Sequence, residues 1–435
     1  MPALIQSLVG APLPEAVVQP ASIAELISLV SWANRNGIPL TPRGKASSGY
    51  GGVLPVKGGV VVDFYRMNRV LHVDRQAQTA TIEAGAVWEK VDRALAAYDL
   101  TLRLYPSSYP GSTAGGWLAQ GGTGFGSFEA GWFHENVVSA SIVLADGSVR
   151  KISGPELELV SDAEGITGFI AELTIRTMPR DPLDVVSIGC PDAHDLQRLL
   201  ERLVAADLPI WSVSFINPRM AELKNRAPLM EHAGHPAEER VLLPASYILT
   251  LAFRLKDSGA VRGKLPDLLK PCQAELLSER IARHEWAHRF KLMVVKRLGP
   301  SLVPAEVVVP LQSLGEVMTE IEGKVNQPVV KEGVIVRRGR GGQPEVVILG
   351  FIPSDQRKFS YNFVFDLSLT IMKIAERHGG RPYAAGLYFS SKAPRILGRD
   401  RLARLREFKR KADPKGILNP GKVLEGRRMS AFMRL

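Results

Sequence analysis

The residues best equipped for chemistry are glycines, hydroxyls and two cations packed into one stretch, Pro42-Arg43-Gly44-Lys45-Ala46-Ser47-Ser48-Gly49-Tyr50-Gly51-Gly52. Glycine and serine at this density let the backbone approach a ligand closely, and a turn that aims successive N–H groups inward makes a nest for an anion such as a pyrophosphate. Arg43 and Lys45 add positive charge to it. Taken alone, the stretch reads either as such a nest or as a flexible surface loop. A second stretch, from Ser107 to Ser127, repeats the composition in Ser112-Thr113-Ala114-Gly115-Gly116 and Gln120-Gly121-Gly122-Thr123-Gly124. Each of these residues singly could belong to a close-packed turn. Two such loops in one N-terminal portion point to a long ligand lying between them.

The elements around these loops read as mixed α+β. Ser22 with Glu25 three residues on is a capping box, and Ile23, Leu26, Ile27, Val30 and Ala33 share one helical face before Gly37 ends it. Val60-Asp63, Leu71-Asp74 and Ala80-Ala84 read as short strands, followed by a helix marked by Val87, Val91 and Leu95. Asp146-Gly147 between two apolar runs is a hairpin signal. Gly165 to Thr177 supplies a further strand, and Met178-Pro179-Arg180-Asp181-Pro182 breaks the pattern at a domain boundary. Beyond it, Val185-Ile188, Ile210-Phe215, Ser246-Phe253 and Val307-Val309 are strand-like, with Leu196, Leu199, Leu200 and Leu203 marking a helix, so a second sheet-containing domain is expected. Met220 to Leu243 reads as a polar loop, either a lid or an insertion.

Composition narrows the function. At 435 residues the chain is long enough for two or three cored domains. No apolar run is long enough to span a bilayer, and Met1-Pro2-Ala3-Leu4-Ile5-Gln6 carries no basic region ahead of its apolar residues, so a cytoplasmic location is expected. Cys190 and Cys272 are the only cysteines, which excludes a self-contained cysteine-ligated iron–sulfur cluster and any CxxC pair. A net charge of +11 raises nucleic acid as a partner, but no recognisable nucleic-acid module accompanies the Arg and Lys clusters. No nucleic-acid partner is therefore expected; an anionic substrate, an acidic protein or a membrane surface explains the charge equally well. Gly416-Ile417-Leu418-Asn419-Pro420-Gly421-Lys422 matches GxxxxGK, yet Val423 stands where a phosphate-binding loop needs Ser or Thr for Mg²⁺, and a charged helical run precedes it in place of a strand.

The order Pro42-Arg43-Gly44 with Ser48-Gly49, then Ser112-Thr113-Ala114-Gly115-Gly116, then Asp146-Gly147, then Gly165-Ile166-Thr167-Gly168-Phe169-Ile170 resembles the PCMH-type FAD-binding domain of the vanillyl-alcohol oxidase superfamily. Asp413 to Lys422 is similar to that superfamily's closing segment, and the nearest branch is the FAD-linked glycolate oxidase and D-lactate dehydrogenase type. The resemblance implies a two-subdomain FAD-binding domain over residues 1–180. It also implies an α+β, ferredoxin-like substrate or cap domain over 181–412 and a C-terminal segment, 413–435, returning to the FAD domain. Pro42, Arg43, Gly44, Lys45, Ala46, Ser47, Ser48 and Gly49 would hold the pyrophosphate. Ser112, Thr113, Gly115, Gly116, Gln120 and Gly122 would face the ring and phosphates, Gly165 and Ile170 the adenine or ribitol side, and Asn419 would lie near the flavin. Several members bind flavin covalently through a histidine in the first loop; Ser47 stands there in this chain, so noncovalent FAD is expected.

On the substrate side, Trp286-Ala287-His288-Arg289 resembles the family's Trp-x-x-Arg, whose arginine binds the substrate carboxylate, a task suited to a two-pronged guanidinium. An ordinary helix-surface arginine is the other reading. Two departures matter. The His-x-Gly-Asp-Gly-Asn-x-His metal motif is absent, because Val346 to Ile352 leads into Pro353-Ser354-Asp355-Gln356-Arg357-Lys358, so no metal is expected. The Glu-His-Gly motif is altered to Glu376-Arg377-His378-Gly379-Gly380, leaving His378 either as the base, oriented by Tyr383 and Tyr388, or as a structural histidine. The resemblance implies an FAD-dependent dehydrogenase of a small 2-hydroxyacid such as D-lactate or glycolate, passing electrons to a partner such as an iron–sulfur subunit and reaching a membrane peripherally through that complex. The departures leave a second reading, an electron-relay or scaffold subunit with a decayed substrate site, and a third, a transferase like the ether-lipid alkyl synthases.

Overall fold

The Ser22 side chain accepts from Glu25 N, 3.2 Å away, and so caps the helix Ile23–Asn36, which Gly37 closes at a φ of 66°. The reciprocal arm of the box slips by one residue, since Glu25 Oε2 accepts from Ala21 N rather than from Ser22. This computed structural model of the chain describes residues 13–228, 240–291, 295, 298, 301–325, 330–355 and 361–425. The fold is α+β. The capped helix connects two outer strands, Ala16–Val18 and Leu40–Arg43, that flank Val60–Asp63 in a three-stranded parallel sheet. Parallel neighbours cannot be joined by a tight turn. The chain from Arg43 to Val60 must therefore cross over, and that crossover is the first glycine loop.

A six-stranded antiparallel sheet follows, built on the central strand Phe169–Pro179, which pairs with Val137–Val143 on one side and Thr79–Glu83 on the other. Asp146-Gly147 turns the chain from Val137–Val143 into Val149–Ser153, with Gly147 at a φ of 86°. Its alternate residues Leu173, Ile175, Ile142 and Ala140 are buried with Leu26, Val30 and Ala33 of the first helix. From Leu183 a nine-stranded antiparallel sheet takes over, with Leu183–Cys190, Tyr247–Arg254, Ile210–Ile216, Val330–Val336 and Glu345–Ser354 as successive neighbours.

The two faces of this second sheet differ, and the difference positions the site. Val213, Phe215, Leu249, Leu251 and Phe253 point into one core with Leu196, Leu199, Leu203, Leu314 and Met318 of the covering helices. On the opposite face Trp211 and Ala252 pack with Phe125, Leu102 and Met178 of the first half of the chain. That face also carries Ser187, Thr250 and Ser214, neighbours in register on three adjacent strands and buried, with Ser187 Oγ 3.0 Å from Thr250 Oγ1. Hydroxyls at 1–8% exposure on a sheet face are unusual where valine would serve packing alone.

The segment from Met220 to Leu243 begins as helix rather than loop, because Asn217 caps Pro218–Arg226 through Oδ1 to Met220 N at 3.0 Å and Pro218 fits the first helical position. Residues 229–239 lie outside the described residues, as do 356–360 beyond the altered metal motif and 426–435 of the tail. Among the described residues no helix is long and apolar enough to cross a membrane.

Candidate functional site

Both glycine loops and the Gly165 turn border one cleft of about 890 Å³, counting its open mouth. Pro42 through Ser48 form one wall, Ser112, Thr113, Gly115, Gly116 and Gln120 another, and Gly165 and Ile170 the floor. The glycines are set by the closeness of these walls. A methyl carbon at Gly44 would stand 2.2 Å from Thr113 Oγ1, and one at Gly165 2.7 Å from Pro42 Cγ. At Gly116 it would meet only Thr113 Oγ1, at 2.8 Å, with the cleft beyond.

The donor set fits FAD. Ala46 is held at a φ of +52°, a left-handed conformation that costs a non-glycine residue of order 1 kcal/mol or more and persists where the surroundings impose it. Among the described residues the N–H groups of Lys45, Ala46, Ser47 and Ser48 make no hydrogen bond, an arrangement suited to phosphate oxygens. Arg43 and Lys45 stand exposed at the rim, with Lys45 Nζ 4.9 Å from the Tyr65 ring centroid. Val53, Phe64, Trp117 and Phe169 supply apolar wall for a flat ring system, and Ser48, Ser108, Ser112 and Thr113 supply hydroxyls.

Three of the expected cofactor residues sit behind the cleft wall. Gly49 packs against Pro304, whose Cγ would be 3.4 Å from an added methyl. Gly122 lies between Tyr383 and Trp117, where a methyl would stand 2.4 Å from the phenol oxygen and 2.9 Å from Trp117 Nε1. Asn419 is fully buried, and its Nδ2 donates to Gly52 O at 3.0 Å and Glu164 O at 2.5 Å. It therefore fastens two turns of the cradle together instead of facing the flavin. Lys422 does similar work, donating from Nζ to Leu54 O at 2.6 Å.

Glu164, absent from the residues expected at the site, lines the cleft beside Gly52. Burial pushes its carboxyl up to about 7 against the opposing pull of Lys422, while burial draws Lys422 down to about 8. A lone glutamate ahead of a glycine carries no signature, so nothing local could have marked it.

The structure separates the three catalytic candidates. Tyr383 adjoins the second loop, its hydroxyl accepting from Thr123 N at 3.1 Å and its ring stacked on Trp132 at 6.3 Å. His378 does not. Its Nε2 is 2.7 Å from Glu320 Oε2 and its Nδ1 3.2 Å from Glu316 Oε2, so both ring nitrogens face carboxylates of the helix Leu314–Lys324 on the outer layer of the second sheet. This corrects the assignment of His378 as base. Tyr388 packs at Gly51, where a methyl would be 3.1 Å from its ring, and so does not orient His378.

Arg289 lies in a chamber that also exposes Ser214, Thr250, Lys224, Glu285 and Phe125. Its guanidinium is sandwiched between Trp286 at 4.1 Å and Phe290 at 4.3 Å, and donates from Nη1 to Trp286 O at 2.6 Å. Nε is buried with no partner, and no carboxylate pairs with the group among the described residues. Burial pulls it down to about 10. The neighbouring Lys224 and Glu285 neutralise each other at 2.6 Å. Phe125, from the end of the second glycine loop, lines the chamber and meets Trp286 and Phe290 edge-on at 6.0 and 5.4 Å.

The chain is similar to known proteins over most of its length. The chain is 22% identical over 427 residues to the glycolate oxidase subunit GlcD of Bacillus subtilis, covering 94% of this chain and 89% of that one. It is 24% identical over 429 residues to the mitochondrial D-lactate dehydrogenase [cytochrome] of Arabidopsis thaliana, covering 95% and 74%. A solved structure of p-cresol methylhydroxylase with substrate bound superposes with a TM-score of 0.74 at 15% identity, over 94% of this chain and 88% of that one, so the two share a fold. Residues 14–153 match the FAD binding domain and residues 182–423 match the C-terminal domain of the FAD linked oxidases. With both of these matched in one chain, it belongs to the FAD-linked oxidases and is an oxidoreductase of that family.

Proposed function

We propose that the protein is an FAD-dependent dehydrogenase of a small 2-hydroxyacid, D-lactate and glycolate being the first candidates because relatives are named for them. The observation that carries the reading is Arg289, a guanidinium between two aromatic rings that lacks an acidic partner among the described residues and opens on a chamber walled by the second glycine loop. Leaving a buried cation unpaired is costly, and a substrate carboxylate supplies the missing partner in two-pronged geometry. FAD would be held noncovalently by Arg43 to Ser48, Ser112, Thr113 and Gln120, and would supply the hydride acceptor.

The chain's own residues then do three things. Arg289 binds and orients the carboxylate. Ser214 and Thr250 offer hydroxyls to the rest of a small polar substrate, and the aromatic ring of walls excludes water. Electrons are proposed to leave to a partner protein, for which an iron–sulfur subunit is the candidate, because the chain has no cysteine cluster of its own.

The test is anaerobic bleaching of the bound flavin near 450 nm by a panel containing both enantiomers of lactate, glycolate and longer 2-hydroxyacids. Bleaching by one of them supports the reading. The placement of His378 between Glu316 and Glu320 favours the rival, an electron-relay subunit whose substrate site has decayed. A flavin that no 2-hydroxyacid reduces, but that exchanges electrons with a co-purifying redox partner, would establish the relay instead.

A further inference from the structure

Burying a carboxylate without a cation is expensive, and this chain avoids it almost everywhere. Among the described residues the buried carboxylates Glu83, Asp195, Glu285, Glu345 and Asp413 pair with Arg69, Arg198, Lys224, Arg381 and Lys409. Glu306 is the exception. Its Oε2 accepts from the Tyr50 hydroxyl, its Oε1 makes no hydrogen bond among the described residues, and no cation pairs with it.

We propose that Glu306, held by Tyr50, takes the hydroxyl proton of the substrate in the reaction proposed above, on which this assignment rests. Its location supports that role. Tyr50 belongs to the first glycine loop, directly after the residues that line the cleft. Tyr383 donates its backbone N–H to Glu306 O at 3.2 Å, and through its hydroxyl it holds Thr123 N of the second loop. Thr123 is buried beside the Tyr383 hydroxyl. Two residues further on, Phe125 walls the chamber of Arg289.

The balance is simple. The substrate O–H bond breaks and its proton passes to Glu306 Oε1. The C–H hydrogen leaves with its electron pair to the flavin, the oxidant that an FAD-linked activity supplies, and the carbon–oxygen double bond of a 2-oxoacid forms. Solvent later removes the proton from Glu306. Burial pushes the Glu306 carboxyl up to about 7, with the Tyr50 hydrogen bond opposing, which is the range a general base needs near neutrality. The titratable groups facing it are Tyr50 and Tyr383, both raised by burial. Glu164 acts on Tyr50 from the cleft side, and Lys422 lies beyond it.

The experiment compares wild type, Glu306→Gln and Tyr50→Phe by stopped-flow reduction of bound flavin with D-lactate and with glycolate from pH 5 to 9, alongside melting temperature over the same range. Wild-type reduction should fall below about pH 7, and Glu306→Gln should lose about a hundredfold or more while retaining flavin. Tyr50→Phe removes the bond that favours the charged carboxylate, so its acid limb should move to higher pH. A carboxyl whose folded value lies near 7, above its ordinary 4.5, stabilises the fold most at low pH and loses that contribution as pH rises through 7. The wild-type melting temperature should therefore decline from pH 5 to 7 more steeply than that of Glu306→Gln. If the wild type bleaches and Glu306→Gln bleaches within threefold of it, this assignment fails alone. Flavin loss in Glu306→Gln, or an unmoved acid limb in Tyr50→Phe, also overturns it by making the pair structural. If no substrate bleaches the wild type, the dehydrogenase reading fails and takes this one with it.

Discussion

Arg289→Met separates binding from folding. The substitution keeps a long apolar stem against Trp286 and Phe290 and removes the charge. Burial lowers the guanidinium from 12.5 to about 10, which at about 1.4 kcal/mol per tenfold is roughly 3 kcal/mol of desolvation without a partner. Removing the group recovers that amount. It also forfeits two cation–π contacts, each about 0.5–1 kcal/mol, and a hydrogen bond to Trp286 O of about 1 kcal/mol. The balance is a variant as stable as wild type or about 1 kcal/mol more so, a rise in Tm of no more than about 4 °C. Substrate reduction of the flavin should meanwhile lose a charge-assisted contact of about 1.5–3 kcal/mol, or roughly ten- to a hundredfold in kcat/KM. Reduction by dithionite, which needs no carboxylate site, should be unchanged. Differential scanning fluorimetry and anaerobic stopped-flow measurements decide it. A variant more than about 5 °C less stable would show that Arg289 is a structural cation, and one that keeps kcat/KM within threefold would show that the chamber does not bind the substrate.

Acid or heat should release the flavin intact, because Ser47 has no ring nitrogen to bond it; yellow colour remaining with the denatured chain on a gel would contradict this. Gly116→Val should abolish flavin retention without unfolding the chain, since the added side chain enters the cleft past Thr113 Oγ1; wild-type occupancy after gel filtration would show that the cofactor lies elsewhere. Asn419→Ala leaves Gly52 O and Glu164 O without their donor and should cost about 2 kcal/mol in a urea titration and weaken flavin retention; an unchanged midpoint would remove Asn419 from the cradle.

What the sequence disclosed was local. Ser22, Gly37 and the Asp146-Gly147 turn act within a few residues of themselves, and each is found where its spacing places it. The cofactor loops were legible for the same reason, because a nest is made by consecutive residues. The catalytic side was not. Tyr50 and Glu306 stand 256 residues apart, and a single glutamate in an apolar run, at the break between the strands Ser301–Pro304 and Val307–Pro310, looks like an irregularity until the second sheet brings it to the first loop. His378 misled because Arg377 displaces it by one position at the end of the helix Tyr361–Arg377. One residue on a helix turns a side chain by about 100°, and the turn here aims the imidazole at Glu316 and Glu320. Gly416 to Lys422 shows the converse. Val423 leaves no hydroxyl for a phosphate-binding loop, yet Lys422 still serves the cleft, from behind, by holding Leu54 O.

That support from behind follows from what glycine loops lack. Gly44 comes close to Thr113, at the start of the helix Ala114–Gln120, because it carries no side chain, and for the same reason it cannot fix that spacing itself. The fastening has to come from another segment. The C-terminal stretch supplies it, pairing with Leu40 at the sheet edge through Ile417 O and Asn419 N at 2.8 and 2.7 Å. Asn419 then ties Gly52 to Glu164, and Lys409 with Asp413 holds the backbone of the stretch itself through Leu418 O and the N–H groups of Ile417 and Leu418. The cradle and the second sheet therefore share their supports. Tyr50 reaches from the first loop to the Glu306 carboxyl, and Tyr383, bonded to Glu306 O through its backbone N–H, holds Thr123 N of the second loop, so a displacement of the cofactor walls is felt at Glu306.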